Sequence, residues 1–267
     1  MTLSDNDLLP LANIKIVLIQ TFHPGNIGSA ARAMKTMGLS NLCLVNPRQF
    51  PDDEATAMSA NAEDLLQNAT VYDSLESAVS DCQLVIGTSA RDRTFSLPPL
   101  LPEQCAEKLV NEAKIGKVAL VFGRERMGLH NDEIQQCHFQ VNIPANPNYP
   151  VMNIASAIQV LCYEIFRELS RSTFLAQQQS SKTIAHVSPN IPHSDDYPLN
   201  QELNQFYQHL EGTLTRIEFL KPKHQGQTML RFQSLFRRAR LEKKELNLLR
   251  GLLSRIDTIV KPNDDAS

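Results

Sequence analysis

The chain has 267 residues, 42% hydrophobic and 21% charged, with a formal net charge of −3 at pH 7. That length predicts one or two domains, and the composition is that of an ordinary globular protein. It shows no apolar run long enough to span a bilayer and no charged-then-apolar leader, so a soluble, cytoplasmic protein is expected. The five cysteines (Cys43, Cys82, Cys105, Cys137, Cys162) are scattered with no CxxC pair. They make no metal site by spacing and read as reduced core residues.

In chain order, Ile14 to Ile19 predicts the first strand, and the loop Phe22 to Gly28 follows it. A helix is expected from about Ser29 to Met37, with Gly38 as its C-cap. Leu42 to Val45 predicts a strand, Asp53 to Gln67 a helix, and Leu84 to Ile86 a strand ending in Gly87-Thr-Ser-Ala90. Pro102 to Ala113 reads as a helix. Val118 to Phe122 is a short apolar run of the kind that becomes a buried parallel strand. It stops at Gly123, where a glycine lets a ligand approach the backbone or simply turns the chain. His138 to Ile143 predicts the last strand. Apolar strands alternating with helices predict an α/β fold with a parallel sheet and helices on both faces.

After a Pro/Asn-rich loop (Pro144 to Pro150), a strong helix is expected from Asn153 to Leu169. Its apolar residues Ile154, Ile158, Leu161, Cys162, Ile165 and Phe166 suggest burial on two sides, one of them against a second subunit. Gln177 to Pro198 is rich in Gln, Ser and Pro and reads as a flexible linker. Three amphipathic helices are then expected. One face carries Leu203, Phe206, Tyr207, Leu210, Leu214 and Ile217; a second Phe232, Leu235, Phe236 and Ala239; a third Leu249, Leu252, Leu253, Ile256 and Val260. The predicted division is an α/β domain over 1–173, a linker over 174–198, a small helical module over 199–262 and a tail over 263–267.

The modest net charge conceals an asymmetry. From Lys221 to Ile256 ten basic residues face only Glu242 and Glu245, a net +8, so the remaining 16 basic and 27 acidic residues sum to −11. A basic module on an acidic body suits a phosphate backbone. Arg231, Arg237, Arg238 and Arg240 are the candidate phosphate contacts, the alternative being a solvated helix face.

Familiar sites are absent: no GxGxxG follows a strand, there is no GxxxxGK[ST], and no HExxH or paired-cysteine ligand set occurs, so no metal is expected. The seven histidines are dispersed, and His23 reads as structural or solvated. Three strand-end loops remain. In the first, Asn26-Ile-Gly-Ser-Ala-Ala-Arg32, an arginine near a helix start makes sense if it and the helix end together face a phosphate. The others are Gly87 to Ala90 and Gly123 to Leu129, the latter followed by Ile143 to Asn153.

Asn26-x-Gly28-x-x-x-Arg32, Phe122-Gly-x-Glu125-x-x-Gly-Leu129 and Asn153-x-x-x-Ala157 resemble the three motifs of the SPOUT (SpoU-type) RNA 2′-O-methyltransferases. Their order and spacing cover residues 14 to 165. ARAMKTMGL (31–39), LVNP (44–47), GTSAR (87–91), VFGRERMGL (121–129), ANP.Y (145–149) and ELNLLRG (245–251) extend the resemblance to the TrmJ-type branch, which acts on the tRNA anticodon loop and carries a helical C-terminal extension. The resemblance implies a trefoil-knotted α/β domain, a homodimer with its active sites at the interface, and S-adenosylmethionine bound in the knot. By that correspondence Thr88, Ser89, Ala90, Gly123, Ile143, Pro150, Val151 and Met152 contact the cofactor, and Arg32 is catalytic. Many members carry Ser where this chain has Val151, so no side-chain hydroxyl acts at that position.

The resemblance further implies methylation of the ribose 2′-hydroxyl of a C or U at nucleotide 32 of tRNA. Arg32 would bind the neighbouring phosphate and polarise the hydroxyl, with electrostatic stabilisation its safer role. Glu125 would orient Arg32 or brace its loop, and Asn26 and Asn153 would hydrogen-bond RNA or cross-subunit loops. Two alternatives stay open: the same chemistry on ribosomal RNA, and a non-catalytic RNA-binding protein on the same fold.

Overall fold

The run Ile14–Ile19 forms β1, and all six of its residues are buried, as a strand covered on both faces requires. The structure is a computed structural model that describes residues 3–89, 97–180, 197–221 and 225–260. Around β1 stand β2 (Asn41–Val45), β3 (Thr70–Tyr72), β4 (Leu84–Thr88), β5 (Pro99–Leu100), β6 (Val118–Phe122) and β7 (Phe139–Val141). Their order is β3-β2-β1-β6-β4-β7-β5, and every neighbouring pair is parallel. The late strand β6 lies between β1 and β4, with Val118 opposite both Ile14 and Leu84. The loops leaving β1, β6 and β4 therefore emerge side by side at the carboxyl edge, where open α/β sheets bind ligands.

Alternation along β1 divides the core. Ile14, Ile16 and Leu18 pack with α2 (Pro24–Thr36), α6 (Pro102–Ala113) and α8 (Ile154–Ser180), whose inward residues include Met34, Leu109 and Leu161. Val17 and Ile19 pack on the other face with α5 (Leu75–Val79) and α7 (Asn131–Ile134), through Leu75, Ala78, Val79 and Ile134. Lys15 interrupts that second face. Its ammonium donates to the Ala78 carbonyl at 2.9 Å and pairs with Asp81 at 2.6 Å. Burial alone pushes the Lys15 ammonium down; Asp81 more than offsets this and holds it above the usual range. All five cysteines are buried as free thiols, and burial pushes those of Cys82, Cys105 and Cys162 up, which makes them poor nucleophiles.

Several local expectations change. The helix placed at about Ser29 begins at Pro24, which occupies its first turn, a position proline favours because its missing N–H has no partner there. Asn26 and Gly28 thus lie inside α2, and Arg32 is in its third turn, away from the N-terminal dipole. The continuous helix expected from Asp53 to Gln67 is two, α3 (Asp53–Ser59) and α4 (Glu63–Gln67), parted where Ala60 and Asn61 take positive φ of 46° and 72°. The first helix, α1 (Asp5–Ala12), and the short elements β3, β5, α5 and α7 carry no periodic signal long enough to read.

α8 runs on to Ser180, into the stretch 174–198 expected to be a linker; 181–196 and the tail 263–267 lie outside the described residues. The residues expected to split between two sides of α8 all face one core: Ile154, Ile158, Leu161, Cys162 and Ile165 are buried in it and Phe166 packs against it. Apolar side chains left exposed on α8 are Tyr163, Phe174 and Leu175.

The chain divides into two compact units, Met1–Ile191 and Pro192–Ser267. The second contains α9 (Asn200–Arg216), α10 (Gln225–Ala239) and α11 (Lys243–Val260). Leu203, Phe206, Tyr207, Leu210, Met229, Leu246 and Leu253 form its core. Phe232, Phe236 and Leu249 pack against it as expected, whereas Ile217, Leu235, Leu252 and Val260, also expected inward, are exposed. Among the described residues no helix is long and apolar enough to cross a membrane.

Candidate active site

The loop after β6 is built on a close backbone approach. Arg124 and Gly128 pair across it, with N–H to carbonyl distances of 3.2 and 2.8 Å. A Cβ on Gly123 would stand 2.1 Å from the Gly128 carbonyl carbon, so the space opened by Gly123 is filled by its own loop. Gly128 has φ +67°, a conformation open to glycine at little cost. Gly28 plays a parallel part in α2, because a Cβ there would stand 2.0 Å from the Ala55 carbonyl oxygen of α3.

Two carboxylates clamp this loop. Glu133 holds Arg124 through two hydrogen bonds of 2.9 Å and accepts the His130 N–H at 2.6 Å. Glu125 accepts from the backbone N–H of Phe22 at 3.0 Å and of His23 at 3.2 Å, and from the Asn26 amide at 2.9 Å. Partial burial pushes the Glu125 carboxyl up, but these donors prevail and hold it below the usual carboxylate range. The Asn153 amide in turn donates to the Asn26 oxygen at 3.2 Å, while its own oxygen caps α8 through the Ala155 N–H at 2.8 Å. Asn26, Glu125 and Asn153 are thus occupied with one another. Within the chain they brace the loop, one of the two roles expected of Glu125.

Beneath the loop lies a cleft of ≈ 900 Å³, open to solvent on one side. Of the residues singled out as cofactor contacts, Thr88, Ser89, Gly123, Ile143, Pro150, Val151 and Met152 all line it; Ala90 lies outside the described residues. Thr88 donates its hydroxyl to the Val121 carbonyl at 3.1 Å, and the Ser89 N–H donates to the Val141 carbonyl at 3.0 Å, which ties three strand ends together. Phe122, Leu129, Val141, Ile154 and Ala157 add an apolar floor. A largely apolar cleft with a few polar groups at its rim is the form of a small-molecule site. Val151 is 67% exposed at the mouth.

Arg32 is exposed and does not line this cleft. Among the described residues its guanidinium has no hydrogen-bond or ion-pair partner. A second cavity, of ≈ 1020 Å³, shares the Arg124–Met127 wall and is completed by Gln20, Phe22, His23, Asn46 and Arg48. Of these five only Asn46, in LVNP, belongs to a motif, and only folding brings the ends of β1 and β2 together here.

In the second unit Arg231 and Arg238 are exposed. Arg240 is half-buried, with its guanidinium over the Tyr197 ring at 4.4 Å. Arg237 is 3% exposed, hydrogen-bonded to Asn200 at 3.2 Å and set over Tyr207 at 5.5 Å. Expected among the phosphate contacts, it is instead turned into the core of its own unit. Among the described residues no cluster of three or more His, Cys, Asp or Glu is placed to hold a metal ion.

The SpoU rRNA methylase family model matches residues 13–163, and the model of the tRNA methyltransferase TrmJ C-terminal domain matches 201–265. A tRNA (cytidine/uridine-2′-O-)-methyltransferase TrmJ from Pectobacterium atrosepticum is 51% identical over 246 residues, covering 92% of this chain and 97% of that protein. One of the same name from Sodalis glossinidius is 49% identical over 256 residues, covering 96% of each. The crystal structure of TrmJ from Z. mobilis ZM4 superposes with TM-score 0.76 at 28% identity, covering 91% of this chain and 98% of that one. A probable methylase family protein from Haemophilus influenzae Rd KW20 is 44% identical with TM-score 0.59, covering 94% and 98%. With both modules matched, and relatives aligned over nearly its whole length, the chain belongs to the SpoU methylase family, in its TrmJ branch.

Proposed function

We propose that this protein transfers a methyl group from S-adenosylmethionine to the ribose 2′-hydroxyl of a C or U at nucleotide 32 of the tRNA anticodon loop. The observation that carries the reading is the convergence of Thr88, Ser89, Gly123, Ile143, Pro150, Val151 and Met152 on one cleft. These residues would hold the donor, with Phe122, Leu129 and Ile154 against its apolar parts. When bound, it supplies a methyl already activated on a sulfonium.

The chain's own task is alignment and charge. A ribose hydroxyl is a poor nucleophile until its proton begins to leave, so holding it in line with the methyl supplies much of the rate. An arginine stays charged at neutral pH, so Arg32 stabilises the developing alkoxide and the adjacent phosphate. Glu125 and Asn26 keep the cleft's roof at a fixed height above its floor. The backbone groups at 151 serve where many members have a serine.

Arg32 lies outside the cleft of its own chain, and this supports a homodimer in which each Arg32 serves the partner's cleft. The interleaving of segments 88–89, 123–129, 141–143 and 150–157 around one cleft supports the trefoil-knotted path. Arg231, Arg238 and their basic neighbours in the second unit would bind the tRNA backbone.

The test is transfer of labelled methyl groups from S-adenosylmethionine to bulk tRNA, with the modified nucleotide mapped by mass spectrometry. A 2′-O-methylpyrimidine at nucleotide 32 is the expected product. Label appearing only in ribosomal RNA would change the substrate. No transfer to any RNA by protein that binds tRNA would leave a binding protein.

A further inference from the structure

The second cavity has no part in holding the donor, yet it is built as a recognition surface. Phe22 is 49% exposed, and the Arg48 guanidinium lies over its ring at 4.0 Å. The His23 ring meets Phe22 edge-on at 4.9 Å. The platform's backbone is pinned: the Arg48 N–H donates to the Thr21 carbonyl at 3.2 Å, and Phe22 N–H is held by Glu125. A guanidinium already held over an aromatic ring loses little freedom when a flat group settles on its outer side.

The charges of the cavity point the same way. Arg124 is neutralised by its two bonds to Glu133. Glu125 is an anion in the wall, but its oxygens already accept from Phe22, His23 and Asn26. Among the described residues Arg48 has no carboxylate partner. The Gln20 amide oxygen accepts from Arg124 and the Asn46 amide donates to the Asp73 carbonyl, so the stacking surface is the Phe22–Arg48 pair itself, which suits an unpaired nucleotide: base on the guanidinium face, phosphate on its edge. An apolar ligand would leave the Arg48 charge uncompensated.

We propose that this cavity seats an unpaired RNA nucleotide flanking the methylated one, with its base stacked on the Phe22–Arg48 platform. The wall Arg124–Met127 is common to this cavity and the cleft, so the two lie side by side. This rests on the RNA methyltransferase reading above.

The experiment is a cycle between protein and RNA. Methyl transfer is measured on anticodon stem-loops carrying an abasic nucleotide at each position flanking the target, with wild type, Arg48→Ala and Arg48→Lys. In wild type one flanking abasic site raises KM about tenfold, a typical loss for one stacked base. In Arg48→Ala intact RNA shows that same rise, and the abasic site adds nothing further. Arg48→Lys, which keeps the charge and loses the plane, behaves like Arg48→Ala toward the abasic series. Calorimetric affinity for S-adenosylmethionine is the same in all three. Equal abasic penalties in wild type and Arg48→Ala, with wild type active, overturn this inference alone. Wild type inactive on every RNA overturns the methyltransferase reading and this inference with it.

Discussion

Asn153 and Asn26 stand 127 positions apart in the chain, and the amide of the first donates to the oxygen of the second at 3.2 Å. Asn26 passes the connection to Glu125 at 2.9 Å. One line of hydrogen bonds thus ties the start of α8 and the first turn of α2 to the loop that roofs the cleft.

Glu125→Ala leaves the Phe22, His23 and Asn26 donors without their acceptor. A loss of about 1–2 kcal/mol is expected, limited because the site is partly solvated. Thermal unfolding and transfer rate both report it, with Glu125→Gln between the two. The pH dependence follows from the depressed folded pKa. The brace contributes fully above the unfolded value of about 4.3 and is lost as pH falls through the lower folded value. An unchanged melting temperature in Glu125→Ala would falsify the bracing role.

Gly123→Ala places a methyl 2.1 Å from the Gly128 carbonyl carbon and 2.2 Å from the Leu129 nitrogen. Backbone cannot rotate aside as a side-chain tip does, so the Arg124–Gly128 bridge must open. Donor binding by calorimetry should fall at least about tenfold, while far-UV circular dichroism retains the wild-type helix signal. Wild-type affinity in this variant means that the bridge does not shape the cleft.

Arg32→Ala removes an exposed side chain without a partner in its own chain, so stability should change by less than about 0.5 kcal/mol. Donor affinity should persist, and methyl transfer should fall about 100-fold or more, as when an oxyanion-stabilising group is lost. If sites are shared between copies, co-expressed Arg32→Ala and Gly123→Ala chains regain part of the activity that neither has alone. Wild-type rates from Arg32→Ala remove it from the mechanism.

Arg237 and Arg238 are adjacent in sequence and opposite in burial. Arg238→Ala should weaken tRNA binding and reduce its salt slope by about one, since it is exposed. Arg237→Ala should leave that slope intact and destabilise the helical unit, because it removes the buried bond to Asn200. Filter binding across salt concentrations, with thermal unfolding alongside, separates the two. Identical salt slopes in both variants contradict the assignment.

In the same unit Asp257 accepts from Thr213 at 2.7 Å, pairs with Arg216 at 2.6 Å and lies 3.1 Å from His209. The Arg216 guanidinium, above all, holds its carboxyl down at about 2. A depressed folded value means the α9–α11 clamp is intact above the unfolded value of about 3.9 and released as pH falls toward 2. Acid unfolding of the helical signal should lose that component in Asp257→Asn. A superimposable acid profile refutes it.

Much of this molecule is legible in residue order. Val118–Phe122 is apolar on every position and Ile14–Ile19 on every position but Lys15, because both faces of the sheet are covered, and a run of that kind declares itself without neighbours. Pro102–Ala113 has helical periodicity between a proline start and a charged, glycine-ended turn. The motif glycines and asparagines mark the strand-end loops, and Thr88, Gly123 and Met152 can be picked out from them. Short pieces such as β3, β5 and α7 escape because they are too brief for any period and are held by pairing and packing alone.

What residue order leaves undecided is adjacency. Nothing local places β6 between β1 and β4, and that insertion is what sets Glu125 against Phe22, His23 and Asn26. Helical periodicity marks which face of α10 is apolar, but it gives Arg237 and Arg238 equal standing; the packing of α9 against α10 buries one and leaves the other to solvent. The apolar breadth of α8 suggests two partners, whereas the curvature of one core around the helix takes up all six residues. The Phe22–Arg48 platform joins the ends of two strands through no motif at all. Sequence thus determines which segments are strands, helices and glycine turns, because those follow from local periodicity and backbone freedom. Which side chains then meet is decided by strand order and burial, which are properties of the folded whole.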